Sequence, residues 1–222
     1  MYYQQPTSYI KENRIFNPRQ FGFRSHHTTQ HAMLTLTDYL YNIIEDGKFA
    51  IVIALDLQKA FDKVDHQIPL QKLNQLKINT KWFQSYLHNR CHRVVQKDST
   101  SNLKFSGIGL PQGTILGPIL FSLFINDLPE VLHHSNCYLF ADDNNIAAAS
   151  SLNEKQKKIK KFEEDLTTVN SWMDLNQMKL NAHKTKMCVF RSKTTLRKLG
   201  PFKLHFDNTT INPDEHFYRE FF

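Results

Sequence analysis

The sequence predicts an α+β fold, and three stretches carry that expectation. Residues 49–57 (FAIVIALDL) are apolar except for Asp56 near the C-terminal end, the pattern of a strand buried on both faces. Residues 137–149 set two apolar runs around Asp142-Asp143-Asn144-Asn145, the pattern of a hairpin with acidic residues at or near its tip. Between Ser151 and Gln177, the residues Ile159, Phe162, Leu166, Val169 and Met173 recur at three and four, which predicts a helix with one apolar face.

A chain of 222 residues suits one domain, with at most a small appendage. Its 41% hydrophobic and 12% aromatic content excludes a disordered chain. A net charge of +7 and a pI near 9.2 fit a polyanionic partner without being specific to one. Cys91, Cys137 and Cys188 show no CxxC spacing, which argues against a disulfide framework or a zinc site and fits a reducing compartment. The pairs His26-His27 and His133-His134 are adjacent, so on a regular element their side chains diverge and do not suggest metal ligands. No apolar run is long enough to span a bilayer, and no charged start leads into an apolar segment. The expectation is an intracellular protein, cytoplasmic or nuclear and not secreted, with no membrane partner.

In chain order, residues 1–20 show no sustained period and contain Pro6 and Pro18, so an extended lead-in is expected. Met33, Leu36, Leu40, Ile43 and Ile44 then predict a helix that Asp46-Gly47 ends. After the 49–57 strand, Phe61, Val64, Leu70, Leu73 and Leu76 predict helical structure that starts or restarts at Pro69. Thr80 is the expected cap of a helix carrying Trp82, Phe83, Tyr86 and Leu87. Residues 92–96 and 103–108 predict a hairpin. Gly109–Thr114 predicts a tight, backbone-exposing loop, and Ile119, Leu120, Leu123, Phe124 and Leu128 a buried helix that tolerates Pro118 in its first turn. The lysines at 155, 157, 158, 160 and 161 read as a solvated helix face before a phosphate site. Residues 186–191 predict a strand, two short strands are expected near 202–212, and the chain closes on HFYREFF.

Asp56 at the end of a buried strand is costly unless it is paired or coordinates a metal. Adjacent carboxylates at 142–143 repel unless a cation stands between them, although Asp and Asn are also ordinary turn residues. Should the strand and hairpin lie side by side, the three carboxylates would meet. Two Mg²⁺ about 3.5–4 Å apart would then clamp the oxygens of an in-line phosphoryl displacement. All-oxygen ligands with open positions suit Mg²⁺. A small Mg²⁺-dependent phosphohydrolase uses the same chemistry but would not need the loop and helix at 109–129.

Five stretches now stand in one order: QFGFRSHHTTQHA (20–32), ALDLQKAFDKVDHQIPLQKL (54–73), GLPQGTILGPILFSLFINDLP (109–129), FADD (140–143) and LNAHKTKMCVF (180–190). In that order and spacing the sequence resembles the reverse transcriptase domain of non-LTR retrotransposons, the jockey-like and related animal elements, over roughly residues 20–192. The resemblance implies a right-hand polymerase palm, a small antiparallel sheet backed by helices, with partial fingers and no thumb. It implies an RNA-directed DNA polymerase that adds dNTPs to a DNA primer 3′-OH on an RNA template, with two Mg²⁺ and Mn²⁺ as a substitute. Asp56 and Asp142 would be the principal metal ligands and Asp143 would support them. Phe61 matches the steric gate that selects dNTPs, or is ordinary helix core. Gln112 and Gly113 match the loop against template and incoming nucleotide, and Arg24 is a candidate for the triphosphate. Lys184 or Lys186 matches the lysine that protonates departing pyrophosphate.

The implied segments are a lead-in at 1–19, partial fingers at 20–48, palm at 49–192 and a truncated palm or primer-grip region at 193–222. The earlier fingers segment and the Leu-Gly primer grip of complete members find no match, and an endonuclease domain has no room. The alternative expectation is therefore a truncated, inactive remnant that at most binds nucleic acid.

Overall fold

Helix α1 (Gln4–Glu12) occupies nearly half of the expected lead-in. Pro6 falls in its first turn, where the missing N–H has no intrahelical partner to lose, and Pro18 lies beyond its end. The computed structural model describes residues 4–192, 195, 198–206 and 209–213, so the closing HFYREFF lies outside the described residues. Helix α2 (Thr29–Glu45) starts at a reciprocal cap in which the Thr28 hydroxyl accepts the His31 N–H and the His31 ring accepts the Thr28 N–H. It stops at Asp46, and Gly47 takes the left-handed φ of +71°. Strand β1 (Phe49–Leu55) follows, then a short 3₁₀ turn at Phe61–Lys63.

Helix α3 (Gln67–Gln75) begins two residues ahead of Pro69, which sits in the tolerant first turn. Helix α4 (Lys81–Leu87) follows, but the Thr80 side chain makes no capping bond because its backbone is already helical; the Asn79 Oδ1 accepts the Lys81 N–H at 3.1 Å instead. Strands β2 (Cys91–His92), β3 (Val95–Gln96), β4 (Ser99–Thr100) and β5 (Lys104–Phe105) pair as β2 with β5 and β3 with β4, the expected hairpin reduced to two short ladders. Helix α5 (Leu116–Phe124) and a 3₁₀ turn at Leu128–Val131 lead to β6 (Asn136–Phe140) and β7 (Asp143–Ser150). Helix α6 (Lys155–Leu175), β8 (Lys186–Phe190), β9 (Leu204–Phe206) and β10 (Thr209–Ile211) complete the described elements.

The contacts divide the described residues into two compact units, one within 1–16 and 59–125, the other within 17–58 and 126–222. Contacts define these units and motif order defines the expected segments, and the two divisions cut the chain differently. In the second unit a four-stranded antiparallel sheet has the order β6-β7-β1-β8. β1 is central, which explains its near-continuous apolar run: every residue from Phe49 to Leu55 is buried except Ala54. Ala50, Val52, Tyr138 and Ala147 on one face of the sheet pack with Leu36 and Leu40 of α2 and with Phe21. α6 buries Ile159, Phe162, Leu166, Val169 and Met173 as its period predicts, and touches β7, β9 and the 128–131 turn.

In the first unit α3 packs on α5, and Lys72 Nζ donates to the Phe124 carbonyl at the C-terminal end of α5. The 61–66 segment zips to 108–110 through the amides of Gly109 and Leu110, which donate to Val64 and Phe61, and a His66 ring nitrogen lies 2.8 Å from the Gly109 carbonyl. Gly109 has φ +86°, and a Cβ there would stand 3.0 Å from the Asp62 carbonyl oxygen, so glycine is required twice over.

Candidate active site

The turn joining β6 to β7 contains only Ala141 and Asp142, because Phe140 and Asp143 are already paired across the hairpin. Ala141 takes φ +56°, the left-handed value that a two-residue hairpin turn demands and a side chain disfavours. On the other side of β7, Asn144 pairs with Leu55, the last residue of β1. Asp56 directly follows β1 and Asp143 opens β7, and the charge of Asp56 is felt at Asp143. Side chains alternate, so both acids share the sheet face that carries Ala54 and Asn145. The strand end is fixed through its backbone: the Asn181 amide donates to the Asp56 carbonyl at 2.7 Å, and the Asp56 amide donates to the Thr185 hydroxyl at 3.4 Å. That clamp brings the 180–190 stretch to the acids.

A cleft of about 300 Å³ opens there, and Asp56, Asp143 and Lys184 line it together with Met33, Leu36 and Phe140. Asp142 is exposed in the turn and is absent from the cleft lining. Partial burial pushes the Asp143 carboxyl above its ordinary value, and the charges of Asp142 and then Asp56 push it further in the same direction. Among the described residues, no three His, Cys, Asp or Glu side chains stand together in metal-holding geometry. The donors are carboxylate oxygens, the chemistry a hard divalent cation takes, and the repulsion felt at Asp143 is what such a cation relieves. The residues thus fit a divalent ion, with Asp56 and Asp143 as the pair already facing one cleft.

Arg24 is half-buried, and its Nη1 donates to the backbone carbonyls of Asn17 and Gln20 at 3.0 and 2.7 Å. Burial lowers its proton affinity. Its hydrogen bonds thus tie a loop together, a use that a guanidinium expected on a triphosphate did not announce. Phe61, Gln112 and Gly113 belong to the other unit. There Phe61 stacks on Phe121 with ring centroids 4.4 Å apart, and Gln112 Nε2 donates to Asp62 Oδ1 at 3.0 Å. Gly113 is exposed, has φ +73°, and leaves a Cβ open space. Three residues at the site carried no expected role: Gln20 and Gly22, although both lie in the first quoted stretch, and Asn144. The cue for Asn144 is its position directly after the acidic pair, on the strand that pairs with β1.

A family model described as reverse transcriptase (RNA-dependent DNA polymerase) matches residues 3–206. The chain belongs to this reverse transcriptase family. Among curated relatives it is 31% identical over 204 residues to the probable RNA-directed DNA polymerase from transposon BS of Drosophila melanogaster, covering 88% of this chain and 22% of the relative. It is 27% identical over 186 residues to the RNA-directed DNA polymerase from mobile element jockey of the same organism, covering 79% of this chain and 20% of that protein. The chain therefore spans about a fifth of the length of these relatives. In fold, 94% of the reverse transcriptase chain superposes on 38% of apo telomerase from Candida tropicalis, with a TM-score of 0.54 at 12% identity. A telomerase from Candida albicans, solved with a fragment of telomeric RNA, gives 0.52 at 12% identity over 95% of this chain and 36% of that one. These likenesses, with the antiparallel sheet and its helices, match a partial reverse transcriptase palm. No helix among the described residues is long and apolar enough to cross a membrane.

The raised Asp143 value has a consequence for stability in this reverse transcriptase chain. A carboxyl harder to ionise folded than unfolded costs stability once pH exceeds its ordinary value of 3.8, and costs nothing below it. Without divalent cations, Asp143→Asn should raise Tm at neutral pH, and the gain should shrink as the pH falls to about 4. Thermal melts across that range check this. A Tm below wild type at pH 7 would contradict it.

Proposed function

We propose that this chain is the palm of an RNA-directed DNA polymerase that joins dNTPs to a DNA primer 3′-OH on an RNA template. One observation carries the reading: Asp56 directly follows β1, Asp143 opens the adjacent antiparallel β7, and the two acids line one cleft. Asp56, Asp142 and Asp143 would hold two Mg²⁺, with Mn²⁺ as a substitute. The bound ions would supply Lewis-acid stabilisation of the oxygens that gain charge during nucleotidyl transfer. The carboxylates orient the site, and the partial burial of Asp56 makes its charge count for more than it would in water. Lys184, in the cleft lining, is suited to donate a proton toward the leaving pyrophosphate; Lys186, where β8 starts, is the second candidate. Phe61 is read as the ring that rejects a ribose 2′-OH, a role that requires its edge to stay accessible beside the Phe121 stack. Gln112 and Gly113 are read as loop contacts to template and incoming nucleotide. Arg24 is read as a partner of the triphosphate.

The test uses purified chain, a DNA primer annealed to an RNA template, dNTPs and Mg²⁺. Stepwise extension that EDTA abolishes supports the reading. A cooperatively melting protein that extends nothing overturns it for this chain and leaves the inactive remnant.

A further inference from the structure

The Ala141-Asp142 turn is held from both ends by buried amide side chains. Gln20 is 0% exposed and bridges to Leu139 beside β6; the Phe21 amide donates to the Leu139 carbonyl at 2.8 Å and the Leu139 amide to the Arg19 carbonyl at 2.9 Å. Its Oε1 accepts the Gly22 N–H at 2.7 Å and, in a longer bond of 3.4 Å, the Ala141 N–H. A Cβ on Gly22 would stand 2.4 Å from the Ala141 nitrogen and 3.1 Å from the Phe140 carbonyl carbon, both backbone atoms. Only glycine lets the 20–24 loop come this close. Arg24 closes the loop by donating to the Gln20 carbonyl. From the opposite side Asn144, 2% exposed, donates from Nδ2 to the Asp142 carbonyl at 2.8 Å.

One amide thus takes the N–H of the first turn residue, and another takes the C=O of the second. Each leaves its other end, Gln20 Nε2 and Asn144 Oδ1, buried with no partner among the described residues. A half-satisfied buried amide lowers stability relative to an apolar side chain of the same shape. Such a cost, repeated on both sides of one turn, points to a gain in geometry: without it, Ala141 would relax from its left-handed φ and swing Asp142 and Asp143 away.

We propose that Gln20, Gly22 and Asn144 are positioning residues that set the direction of the Asp142 and Asp143 carboxylates. This rests on the polymerase reading of those acids. The probe is ¹⁵N-labelled chain, followed by amide hydrogen exchange and by primer extension. In the wild type the Ala141 amide, outside the strand ladder, should exchange slowly. Gln20→Met keeps the volume and removes the acceptor; it should speed Ala141 exchange about tenfold or more and lower kcat by about tenfold, with the KM for dNTP within about twofold. Asn144→Leu removes the second hold and should lower kcat in the same way. Rapid Ala141 exchange in the wild type overturns the proposal even if neither variant folds. Unchanged exchange and kcat in a folded Gln20→Met protein overturn it too. A wild type that extends no primer would sink the polymerase reading alone, because Ala141 exchange still decides whether the clasp exists.

Discussion

An Asp56→Asn protein should fold like the wild type and extend a primer on the order of 10²–10³-fold more slowly. The fold is insensitive because the strand end is fixed by backbone groups: the Asp56 carbonyl accepts from Asn181, and the Asp56 amide donates to Thr185. The buried Phe49–Ile53 core of β1 is untouched. The chemistry is sensitive because the substitution removes one of the two negative charges that line the cleft and keeps the shape. Stability should hold or rise slightly, since the same charge pushes against Asp143. Single-turnover extension on an RNA template, run beside thermal melts, separates these effects. Equal rates for the two proteins would remove Asp56 from the chemistry and take the polymerase reading of this chain with it.

Asp56 was legible because one charge ending an apolar run has few physical explanations. The acidic hairpin was legible for the same reason. Which of its two acids faces the cleft was not. That depends on register: Leu55 opposite Asn144 brings Asp143 to Asp56 and leaves Asp142 in the turn. α6 was readable because its period and its burial coincide along 21 residues. Helix α1 was not, because two prolines look like breakers until one is known to sit in a first turn. The Thr80 cap failed for a local reason, since a cap residue must be extended for its hydroxyl to reach back, and Thr80 is helical. Arg24 shows the limit of reading charge alone. Its Nη1 donates to two carbonyl oxygens of its own loop, a use that the path of the loop decides and that charge alone does not reveal.

The largest stability loss is expected from a residue no motif contains. Asp165 interrupts the apolar face of α6 and is 1% exposed. Its carboxylate accepts the backbone N–H groups of His133 and His134, each at 2.9 Å, and the Ser135 hydroxyl at 2.6 Å. The segment so held runs into β6, the strand that delivers the acidic turn. The adjacent histidines therefore matter through their amides. Asp165→Ala orphans three donors at once, and with buried unpaired donors costing about 1–3 kcal/mol each and some water entering, a net loss of about 3 kcal/mol is expected. For a chain of this size that is a fall in Tm of roughly 10 °C. Asp174→Ala, an exposed acid on the same helix, should change stability by less than about 0.5 kcal/mol. Urea titrations of both proteins measure the difference. Equal midpoints would show that the 133–135 segment holds its place without the carboxylate, and that α6 tolerates this charge in its core face for some other reason.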